Sequence, residues 1–156
     1  MQRHAAVAAA LLALVLVLVL LWHGGGSRAP RLTAHPLRTP GVLNADVRQD
    51  TIGETICVSG WTRTIRPPTT YTSALKVRQM KEYGVDGSPS DYQEDHLISL
   101  ELGGHPTDPR NLWPEPRPRA EEVDRIENQL NARVCSGEIT LAEGQRRETE
   151  LKHRSG

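Results

Sequence analysis

Between Tyr92 and Glu115 the chain reads YQEDHLISLELGGHPTDPRNLWPE, and no other stretch restricts the possible folds as much. Asp95 and His96 open a short apolar run, Gly103 and Gly104 force a turn, and Asn111, Leu112 and Trp113 follow. Neighbouring residues on an extended strand point to opposite faces, so Asp95 and His96 can serve one site only where the strand ends or bends. Metal sites are often built that way. Trp113 is expected to pack beneath the resulting hairpin.

A helix is expected from near Arg119, because the prolines of PEPRPR oppose an earlier start. Its apolar residues Ala120, Val123, Ile126, Leu130 and Val134 recur at three- and four-residue steps and define one stripe. Glu127 projects into that stripe, with Asn131 and Asp124 beside it. A carboxylate on a buried face is costly unless it is paired or bound to a metal. Glu127 is thus either a metal ligand or a snorkelling or arginine-paired residue at the edge of the core.

The order Asp-His, apolar run, Gly-Gly, Asn-Leu and helix resembles the HNH (ββα-metal) endonuclease motif over about residues 93 to 131. From Pro36 onward the chain is also similar to small exported bacterial proteins that carry it. The resemblance implies an α+β fold in which a β-hairpin and one helix wrap around a single divalent cation. By that resemblance His96 is the general base and Asp95 a metal ligand, while Asn111 either orients the histidine or joins the metal shell. The helix ligand would be Glu127 or, as second choice, Asn131. Oxygen donors favour Mg²⁺ or Mn²⁺. Two departures are visible: the Cys-x-x-Cys pairs of many HNH proteins are missing, and Ser99 stands where proline is frequent.

The cysteines say more about compartment. Cys57 and Cys135 are the only two, which in an exported chain read as one disulfide contributing about 4 kcal/mol. Export is suggested by the apolar run Ala5 to Trp22, either a signal peptide or an N-terminal membrane anchor within residues 1–22. Residues 23–45, rich in Gly, Pro and Arg, read as a flexible linker, leaving residues 46–156 for one HNH-like domain.

Within that domain, TIGETICVSG suggests a strand around Ile56 to Val58, ended by Pro67 and Pro68. A flanking helix is expected from Thr72 or Ser73 to Tyr83, closed by Gly84. Thr140 and Glu143 suggest a capping box for a last helix, Leu141 to Lys152, which reads as a peripheral cover without chemistry.

With 19 basic and 19 acidic residues the chain has no global field for nucleic acid. Phosphate contact would fall to a local set among Arg63, Arg66, Arg110, Arg117 and Arg119, with Arg110 nearest the motif. His105, Glu101 and Glu115 read as surface or turn residues. The expected activity is metal-dependent hydrolysis of DNA or RNA by a monomer held at the outer face of a membrane or secreted. The alternative is a non-catalytic cell-envelope binding domain on the same scaffold.

Overall fold

The computed structural model describes residues 32–154, so the apolar run and the first part of the expected linker lie outside the described residues. Among the described residues no helix is long and apolar enough to cross a membrane. Among the described residues the fold is mixed α+β, with one two-stranded antiparallel sheet, four α-helices and one disulfide. The helices are α1 (Trp61–Ile65), α2 (Thr69–Tyr83), α3 (Arg117–Cys135) and α4 (Leu141–Arg154). Strands β1 (Tyr92–His96) and β2 (Leu112–Pro116) form the hairpin, with Asp95 opposite Trp113 and His96 opposite Leu112.

The connection from Leu97 to Asn111 folds back on itself, and Asn111 pins it. Its Oδ1 accepts from the Ile98 N–H at 3.0 Å, while its Nδ2 donates to the carbonyls of Ile98 at 3.0 Å and His105 at 3.1 Å. The side chain is fully buried, so these bonds replace water that the loop cannot reach. The two glycines serve different needs. Gly103 adopts φ +78°, whereas a Cβ on Gly104 would lie 1.7 Å from the Ile98 carbonyl oxygen. Asn111→Ala would strand two buried backbone groups of Ile98 and a partly buried carbonyl of His105, and is expected to lower the unfolding free energy by about 2–4 kcal/mol, checked by urea denaturation.

Several sequence expectations are corrected. Residues 32–44 are part of the domain and not a free linker: Ala34 and Thr39 are buried, and the segment bonds along the loop through Asn44 N to Gly103 O and His105 N to Val42 O. These are backbone bonds, which leave no hydropathy pattern. Ile56 to Val58 form turns and not a strand. Their N–H groups bond locally, Cys57 to Ile52 and Val58 to Thr55, because no strand edge lies beside them. Helix α3 starts at Arg117, since Pro118 falls in its first turn, where a missing N–H removes no helical bond. Similarly α2 begins at Thr69, directly after Pro68, and ends at Gly84 with φ 63° as expected.

The stripe of α3 is buried through Ala120, Val123, Leu130 and Val134, with Glu127 among them. Leu130 and Val134 join Val47, Ile56, Ile98, Leu102 and Leu141 in the larger core cluster, while Trp113 packs with Leu97 and Ala34 in a smaller one. Cys57 and Cys135, with Cα atoms 5.5 Å apart, bond the end of α3 to the turn before α1.

Helix α4 is not a peripheral cover. Leu141, Gly144, Glu148 and Lys152 are buried, and a Cβ on Gly144 would lie 2.9 Å from Val134 Cγ2. The missing side chain is therefore what lets α4 approach α3.

Candidate functional site

Where β1 ends, an open polar pocket of about 230 Å³ is lined by Asp95 and His96 from the strand, Asp124 and Glu127 from α3, Glu101 from the loop and Arg66 after α1. Helix α3 packs on both strands, which brings Glu127 to the end of the hairpin. Asp95, His96 and Glu127, expected together from the sequence, do line one pocket.

His96 is buried, and its Nε2 lies 3.0 Å from the Pro106 carbonyl oxygen. A carbonyl can only accept, so this nitrogen carries the ring proton and Nδ1 is the basic one. Burial holds the imidazole below its ordinary pKa, which keeps it neutral near pH 7.

Behind the pocket lies a group that no sequence pattern of the motif indicates. Lys152 of α4 is completely buried, and its Nζ sits 2.8 Å from Asp95 Oδ2, 2.6 Å from Glu127 Oε1 and 3.3 Å from Glu148 Oε1. It also donates to the His96 carbonyl. Glu148 in turn accepts the Ser99 N–H on both oxygens, at 2.9 and 3.0 Å. A proline at position 99 would remove that donor, which gives the Ser99 departure a structural meaning.

The electrostatics follow from burial around one cation. For Asp95, burial alone would raise the pKa, but the Lys152 ammonium and a hydrogen bond from Glu115 outweigh it and lower the value to about 2. Glu127 and Glu148 are raised by burial, only partly countered by Lys152. Burial and the Asp95 charge push Glu115 up to about 9, despite Arg119 Nε at 3.0 Å. Lys152 is held above its ordinary range because Asp95, Glu127 and Glu148 outweigh its own desolvation. One ammonium thus fixes one clearly ionised carboxylate and competes with protons for the others.

The remaining expected site residues lie elsewhere. Asn111 is sealed inside the loop and does not line the pocket, so its role here is to hold the backbone after His96. Asn131 gives its amide to the carbonyls of Glu101 at 2.8 Å and Ile56 at 3.3 Å and borders a separate pocket near the disulfide. Arg110 is exposed and holds Asp108 through two bonds, Nε to Oδ1 at 3.0 Å and Nη2 to Oδ2 at 2.7 Å. It does not line the pocket; of the candidate arginines, Arg66 does. Glu115, read as a surface residue, is fully buried.

Asp95 and Glu127 are hard oxygen donors of the kind a divalent ion takes. One oxygen of each, Asp95 Oδ2 and Glu127 Oε1, is nevertheless directed at Lys152. An ion bound to the same two oxygens would lie roughly 4 Å from the ammonium, a repulsion on the order of 8 kcal/mol at an effective dielectric constant of about 20. Among the described residues no group of three or more His, Cys, Asp or Glu is arranged to hold a metal. With Lys152 seated, Asp95 Oδ2 and Glu127 Oε1 are held by the ammonium and are not free for a divalent ion. Comparison with known proteins finds no matching family model, curated protein or solved structure.

Proposed function

We propose that the domain is an HNH-like nuclease acting on nucleic-acid phosphodiester bonds outside the cytoplasm. The observation that carries the reading is the neutral His96 ring, with a basic Nδ1, at an open polar pocket where a hairpin meets the helix that follows it. In hydrolysis Nδ1 would take the proton of the attacking water as its oxygen bonds to phosphorus and the ester P–O bond breaks, the departing oxygen taking a proton from solvent. Arg66 supplies positive charge at the pocket wall for the phosphate. The Cys57–Cys135 bond favours an oxidising compartment.

Incubating the disulfide-bonded protein with DNA and RNA, in Mg²⁺, Mn²⁺ or EDTA, tests the reading. His96→Ala is expected to lose activity by about 100-fold or more while keeping the fold. Cleavage that survives His96→Ala contradicts the assignment.

A second reading, a non-catalytic envelope domain on the same scaffold, is favoured by the Lys152 ammonium standing between Asp95 and Glu127. Under that reading no nucleic acid is cleaved in any of these conditions, by the unaltered protein or by His96→Ala.

A further inference from the structure

We propose that Lys152 is the resident cation of this site: its ammonium holds Asp95 and Glu127 in place of a divalent ion, and withdrawing it exposes a cavity that binds one. The inference concerns what the carboxylates hold and does not depend on the nuclease reading.

Four oxygens from three elements surround Nζ: Asp95 Oδ2 and the His96 carbonyl from β1, Glu127 Oε1 from α3 and Glu148 Oε1 from α4 itself. An ammonium has three protons to donate, so the set offers more acceptors than the side chain can bond at once. A cluster of carboxylates alone would be a weak indication. Here a cation already lies within it, completely buried.

Lys152 is held there by more than its charge. Its carbonyl accepts from Ala34 N at 3.1 Å, and the neighbouring Leu151 carbonyl accepts from Arg119 Nη2 at 3.1 Å. Glu148, one turn earlier, is bound to Ser99, and Gly144 is set against Val134. The helix is therefore anchored on both sides of the ammonium, and the side chain is delivered in register.

Side-chain oxygens 2.6–3.3 Å from the central point are too far apart for Mg²⁺, which binds at about 2.0–2.1 Å. An ion of calcium's size, at about 2.3–2.6 Å, requires less inward movement. Truncating Lys152 to alanine would leave room for it, whereas methionine would fill the same space with an uncharged chain.

The test is calcium binding to the full-length disulfide-bonded protein in mild detergent, read by titration calorimetry and by the thermal midpoint with Ca²⁺ or EDTA. Lys152→Ala is expected to bind Ca²⁺ at least 10-fold more tightly than the unaltered protein, with a midpoint that rises in Ca²⁺ and falls back in EDTA. Lys152→Met should show no such rise, and adding Asp95→Asn to Lys152→Ala should abolish it. If Lys152→Ala is unfolded without metal, millimolar Ca²⁺ should restore its near-ultraviolet circular dichroism. The inference is overturned if the unaltered protein and Lys152→Ala bind Ca²⁺ equally. It is also overturned if folded Lys152→Ala binds none, if Lys152→Met binds equally well, if Asp95→Asn leaves binding intact, or if Ca²⁺ fails to refold an unfolded variant.

Discussion

Lys152→Met is expected to lower the unfolding free energy at pH 7 by about 3–5 kcal/mol, the usual penalty for removing one partner of a buried ion pair. A second route to the magnitude agrees. Without the ammonium, Asp95 must be buried protonated, and protonating a carboxyl of ordinary pKa at pH 7 takes about 4 kcal/mol. The shape of the pH dependence identifies the cause. Asp95 is held at about 2, below its ordinary value of 3.8, so its ionic contribution is complete above that value and is lost as pH falls through the folded pKa. Lys152 is held above 10.5, so its contribution is complete below that value and is lost as pH rises through the folded pKa. The gap between the two proteins should therefore be widest near neutrality and shrink towards acid pH, where protonating Asp95 becomes cheap. Urea denaturation between pH 4 and 8 measures it. A gap that does not change with pH would mean that lost packing, and not lost charge, accounts for the effect.

Breaking Cys57–Cys135, by reduction or by Cys57→Ser with Cys135→Ser, is expected to lower the unfolding free energy by about 4 kcal/mol. The bond spans 78 positions, and a cross-link of that length removes much of the freedom of the unfolded chain. It also bonds the end of α3 to residues before α1, and Glu127 lies two turns earlier on α3. Comparing urea midpoints of the oxidised and reduced protein gives the value. A change below about 1 kcal/mol would mean that the core alone keeps α3 in place. The smaller expected effects, at Asn111 and His96, concern the loop and the chemistry separately.

How much of this could be read from the chain depends on which signal each element leaves. The hairpin is visible because Gly103, Gly104 and Asn111 are residues that a folded-back loop demands by geometry. Helix α3 is visible through its stripe, and Glu127 through being the one charge in it. Residues 32–44 leave no periodic trace, since beyond the isolated buried side chains of Ala34 and Thr39 they attach by backbone bonds that any sequence can make.

The Lys152 cation was hidden for a different reason. Charged residues are ordinarily solvated, so a Glu148 and Lys152 pair four apart reads as a surface bridge. Yet Leu141, Gly144, Glu148 and Lys152 recur at three, four and four residues, which places both charges on the face that Leu141 buries. That continuity was the available signal. It becomes decisive only when Glu127 is recognised on α3 as needing a cation, because the two helices pack on each other and these charges meet.

The most direct test is a crystal structure of the unaltered protein grown in Mn²⁺, with anomalous diffraction recorded to locate the ion. The account predicts the Lys152 ammonium between Asp95 and Glu127, with no anomalous peak at that point. A manganese peak bonded to those two carboxylates, with Lys152 turned away, would contradict it.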